Sequence, residues 1–61
     1  MFKIEIKHFG AENVESITIS DVYAAKKVYK SLIIAAVDTS PDIKRLTLRN
    51  PQGEIIAQCS F

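Results

Sequence analysis

"DVYAAKKVYKSLIIAAVD", Asp21 to Asp38, is the one long periodic stretch of this 61-residue chain. Val22, Ala25, Tyr29, Leu32, Ile33 and Ala36 recur at the helical repeat and form a single apolar stripe. A helix with one dry side must lay it against something. The flanking segments offer only alternating patterns, so the stripe is predicted to cover a β-sheet. Ser20 or Asp21 suits the N-cap, because either side chain can accept a bond from an orphan N–H of the first turn. "DTSPDI" ends the helix, and Pro41 bars its continuation past Ser40.

Before the helix, Phe2, Ile4 and Ile6 alternate with Lys3, Glu5 and Lys7, the period of a strand with one wet face. Phe9 to Asn13 reads as a turn, with Gly10 giving a free backbone and Asn13 tolerating unusual dihedrals. Ile17 and Ile19 then alternate with Ser16 and Thr18, and the two strands are expected to form a hairpin. After the helix, "KRLTLRNPQGEIIAQCSF" is a second hairpin. In its turn Asn50 suits the first position, Pro51 the second and Gly53 the left-handed residue that closes it. Leu46 and Leu48 are predicted to face inward on one strand, and Ile55, Ala57, Cys59 and Phe61 on the other. The fold class is therefore α+β: ββαββ, a four-stranded, mainly antiparallel sheet with one helix packed on one face. Residues 1–61 read as a single compact domain with no linker or repeat. Starting and ending in strands, the chain is expected to be a complete small gene product.

A domain of this size buries only about 60% of its unfolded surface, and its core is worth roughly 3–5 kcal/mol net. No staple is visible. One cysteine, Cys59, forms no internal disulfide, and one Cys with one His builds no zinc site without carboxylates. Self-association or a partner is expected on stability grounds. Hydrophobic residues make up 48% of the chain and charged residues 25%, which fits a globular domain. The net charge of +1 is too small to drive nucleic-acid binding in bulk. No apolar run approaches the ~20 residues of a membrane span. The alternating N-terminus lacks the unbroken apolar stretch of a signal peptide. The cytoplasm is the expected compartment.

No constellation for catalysis, cofactor or metal emerges. His8 is the single histidine and lacks partners for a triad. Cys59 falls in phase with Ala57 as a core residue rather than beside the basic group a nucleophilic thiolate needs. The carboxylates are scattered, and both glycines serve turns. Neither an enzyme nor a small-molecule site is expected, and so small a domain has little room for a ligand pocket.

Two surfaces remain. Tyr23, Lys27, Lys30 and Ile34 form a ridge on the helix opposite the core stripe. An aromatic and an aliphatic anchor among lysines suit protein binding. Lys3, Lys7, Arg45 and Arg49 project from the outer sheet face, where they could track a phosphate backbone. Such binders also present aromatic platforms, and only Phe9 is in phase. The size and layout are of the sort seen among small accessory proteins of phages and mobile elements that bind a host protein. That analogy is one of architecture with no motif behind it. The leading expectation is a small non-enzymatic protein-binding module that docks on another protein or forms a homodimer. It would use the helix ridge or an exposed edge, either the last strand or the strand starting at Phe2. The alternative is weak nucleic-acid binding through the outer sheet face.

Overall fold

A computed structural model describes residues 1–39 and 42–61. Five elements follow in the order β1 (Phe2–His8), β2 (Glu15–Ile19), α1 (Val22–Asp38), β3 (Ile43–Arg49) and β4 (Ile55–Ser60). The sheet order is β2-β1-β3-β4, and every neighbouring pair is antiparallel. The strand starting at Phe2 is thus central, paired on both sides. The edges are β2 and β4.

α1 starts where its chemistry asks. Asp21 stays extended (φ −104°, ψ 132°), and its carboxylate accepts the Ala24 N–H at 2.9 Å, satisfying one orphan donor. Thr39 closes the far end, its N–H donating to the Ala35 carbonyl at 2.8 Å. The stop assigned to Pro41 after Ser40 lies outside the described residues. Ala25 and Ala36 are buried in the helix face, and their small size lets the helix approach the sheet. Tyr29 is buried between them and donates its hydroxyl to the Leu46 carbonyl at 3.4 Å.

The sheet contributes Ile4 and Ile6 from β1 and Ile43, Leu46 and Leu48 from β3 to this core. Ile43 joins because β3 carries an extra residue opposite the Lys7–His8 step, which turns it inward out of strict alternation. Leu32, expected in the core, is only half-buried and packs at its margin with Val28 and Ile33.

The second hairpin closes as its sequence dictates. Gly53 has φ +86°, a conformation that strains residues with a Cβ, and its N–H donates to the Asn50 carbonyl at 2.9 Å. The Asn50 side-chain oxygen accepts from the Gln52 and Glu54 N–H groups at 3.1 and 2.9 Å. In the first turn, Asn13 keeps a negative φ and Gly10 alone takes the left-handed region. β4 departs from expectation at two places. At its end Phe61, expected inward, lies past the strand and is exposed. A bulge between Leu48 and Arg49 sets Ile55 opposite Arg49, and Ile55 is half-exposed rather than inward.

Candidate functional site

The helix face turned away from the sheet presents the ridge read from the sequence. Tyr23 is 82% and Ile34 61% exposed, and Lys27 and Lys30 between them are exposed. Val37, 69% exposed, extends the same row by one turn. It stands three residues after Ile34, a helical spacing that was there to be read. The ridge is therefore an uncovered surface with three large apolar side chains on a rigid element.

The outer sheet face gathers its four cations as expected. Lys3 lies opposite Arg49 and Lys7 opposite Arg45, with Glu5 and Thr47 between them. The face is nevertheless partly self-neutralised. Arg49 donates from Nε to Glu5 Oε1 at 2.6 Å and from Nη1 to the Gly53 carbonyl at 2.8 Å. Lys7 Nζ bonds the Ala11 carbonyl and reaches the Glu12 carbonyl at 3.3 Å. The floor of this face is Thr47, 4% exposed, whose hydroxyl accepts from Gln58 Nε2 at 3.0 Å. Of the four, Lys3 and Arg45 are left with neither an ion pair nor a side-chain hydrogen bond among the described residues.

His8 sits at the end of β1 in a joint the sequence did not reveal. Its Nδ1 lies 2.9 Å from Asp42 Oδ2, and its Nε2 lies 3.6 Å from Glu15 Oε1. The imidazole thereby ties the starts of β2 and β3 to the end of β1, across sequence separations no local pattern encodes. Cys59 is half-buried opposite Leu46. Among the described residues no group of three or more His, Cys, Asp and Glu side chains is placed to hold a metal ion. No helix among them is long and apolar enough to cross a membrane.

One further feature has no counterpart in the sequence reading. α1 packs over β3, β1 and β2 and hardly touches β4. The offset opens a groove of about 470 Å³ between the helix and the β4 edge. That volume lies within the range of ligand sites, roughly 300–1,000 Å³, so the small domain has more room than its size suggested. Val22, Tyr29, Leu48, Ile56 and Ala57 form its apolar walls, and Lys26 and Lys30 its rim. Burial raises the Tyr29 hydroxyl pKa above the ordinary tyrosine value, and charge on Cys59 adds to the effect. Tyr29 therefore stays a neutral, hydrogen-bonded wall of the groove. No protein-family model matches the chain, and neither a curated protein nor a solved structure matches it.

Proposed function

We propose that this chain is a small non-enzymatic protein-binding module that docks on another protein and alters its activity. The observation that carries this reading is the ridge. Tyr23, Ile34 and Val37 hold apolar surface in water on a rigid helix whose opposite face already fills the core. Exposed single hydrophobic residues are ordinary, but a row of them rimmed by lysines has the composition of an interface centre. The nucleic-acid reading is weaker. Two of its four cations, Lys7 and Arg49, are engaged by the chain's own acceptors. The salt dependence expected of that face falls accordingly, since each phosphate neutralised contributes about −0.9 to the slope.

The test is the double change Tyr23→Ser with Ile34→Lys. Both sites are exposed, so stability should move by no more than about 0.5 kcal/mol per site. Affinity capture from the native host is compared for the two chains, both shown folded by circular dichroism. A protein retained by the wild type and lost with the variant supports the module. Retention by both retires the ridge. A wild-type chain that retains nothing and sediments as a monomer at every concentration counts against protein binding altogether.

A further inference from the structure

The side of the sheet that α1 leaves uncovered is also the side where backbone groups are free. The Phe61 N–H donates to the Lys44 carbonyl at 2.9 Å, so Lys44 and Phe61 are a hydrogen-bonded pair of the β3–β4 ladder. Antiparallel pairs alternate, and Arg45–Ser60 and Thr47–Gln58 are then the non-bonded ones. Ser60 and Gln58 must turn their N–H and C=O groups outward, away from β3. Natural edge strands are guarded against pairing by charge, proline or shortness. From Ile55 to Ser60, β4 has no charged residue and no proline. The other edge, β2, is shorter and opens on Glu15.

We propose that the outer edge of β4, with the groove beside it, binds an extended segment of another protein by strand addition, and that this segment alternates apolar with acidic residues. The inference rests on the protein-binding reading above and gives that reading a second surface and a partner chemistry. A strand added to β4 points alternate side chains to opposite sides of the sheet. Those on the helix side enter the groove against Ile56, Ala57, Val22 and Tyr29, which asks for apolar groups. Those on the other side lie beyond Gln58 and Ser60. There Arg45, exposed and opposite the small Ser60, can reach across to them. Lys26 and Lys30 stand at the groove rim. None of these three cations has an ion pair among the described residues. On the outer side of the docking edge Arg45 thus presents unmatched positive charge, which selects carboxylates there, while the groove side takes the apolar residues. The same charge disfavours a second copy, since β4 against β4 would set the two cationic rims against each other.

The test is an amide chemical-shift titration of the ¹⁵N-labelled full chain. The probes are short synthetic peptides that alternate valine with glutamate or valine with lysine, each ended by proline to stop self-pairing. The glutamate peptide should shift the amides of Ile56, Gln58, Ser60 and the first turns of α1. Its affinity should fall about tenfold in high salt, where exposed charges are screened, and by a similar factor with Arg45→Glu, which reverses the cation on the side the glutamates face. Ser60→Pro removes one outward N–H where the ladder does not use it, so it should abolish the response with the fold intact. Equal response to the lysine peptide, no response to either, or shifts that grow with protein concentration alone would overturn the assignment. The last would name a second copy as the occupant. Ridge-dependent capture that persists beside a silent β4 would sink this inference and leave the module standing.

Discussion

Leu46 and Leu32 both belong to apolar stripes in the sequence, and the fold separates them sharply enough to be tested. Leu46 has no exposed surface, and its strand is paired to Ile6 on one side and Cys59 on the other. Its backbone carbonyl also holds the Tyr29 hydroxyl. Leu46→Ala removes apolar bulk worth about 0.8 kcal/mol per methylene. Strands fixed on both sides cannot close the hole, so the cavity penalty is felt nearly in full. The expected cost is about 4 kcal/mol, in the upper half of the usual range for such truncations. Leu32 is half-buried at the core margin, and water can fill the space it leaves. Leu32→Ala should cost about 1–1.5 kcal/mol, since only part of the transfer term is lost and no closed cavity forms.

A domain of this length is expected to hold only about 3–5 kcal/mol net. Losing about 4 kcal/mol lowers the folded-to-unfolded ratio about a thousandfold. Leu46→Ala should therefore be largely unfolded at room temperature, whereas Leu32→Ala should stay folded with a lowered midpoint. Urea unfolding followed by far-UV circular dichroism gives both values. Leu46→Met, which keeps the volume, provides a folded reference costing less than about 1.5 kcal/mol. If Leu32→Ala proved as costly as Leu46→Ala, the helix would sit deeper on the sheet than the structure has it, and the groove beside β4 would lose its basis.

Two more expectations concern the turn and the groove wall. No atom lies within 4 Å of a Cβ built on Gly53, so substitution there meets backbone strain alone. Gly53→Val should cost more than about 1 kcal/mol and Gly53→Asn distinctly less, because asparagine tolerates the left-handed region; equal melting midpoints for the two would refute the assigned turn. The Tyr29 pKa is raised above 10.0, first by burial and then by charge on Cys59. Between 10.0 and that raised value the unfolded chain sheds the proton while the native state keeps it. Stability is fully present below this window and falls as pH rises through it. Tyr29→Phe should flatten that part of the stability–pH curve, and a variant with the same alkaline slope would argue against the buried hydroxyl.

Periodicity made the faces legible but not the neighbours. The helix phase placed Ala25, Tyr29 and Ala36 inward and Tyr23, Lys27, Lys30 and Ile34 outward, because a single strong stripe admits one orientation. The turn at Asn50–Gly53 was legible because few residues other than glycine accept its geometry. Strand order was not, since alternation says which side a residue faces and nothing about which strand lies beside it. That is why the Phe2 strand could be taken for an edge. The outer-face cations were legible as a group. Their neutralisation was not, because Glu5 meets Arg49 only through the pairing of β1 with β3. The link from His8 to Asp42 has the same origin, its partners standing 34 positions apart in the chain.

The groove was illegible for a more specific reason, which begins in the turn. The Asn50 N–H donates to the Glu54 carbonyl, so the turn pairs Asn50 with Glu54. The body of the hairpin pairs Leu48 with Ala57. Going from Leu48 to Asn50 spends two residues on β3, while going from Ala57 back to Glu54 spends three on β4. The extra residue must be absorbed as a bulge, and it is, between Leu48 and Arg49. Strict alternation from Cys59 and Ala57 would have sent Ile55 inward and Ile56 out. The bulge breaks that phase. Ile55 comes to lie across from Arg49, whose side chain is held on the outer face by Glu5, and Ile56 lines the groove beside Tyr29. The demands of Asn50 and Gly53 in closing the turn thus decide which isoleucine stands at the uncovered edge. A local rule for turns and a local rule for strands each hold here, and the groove wall is set where the two disagree by one residue.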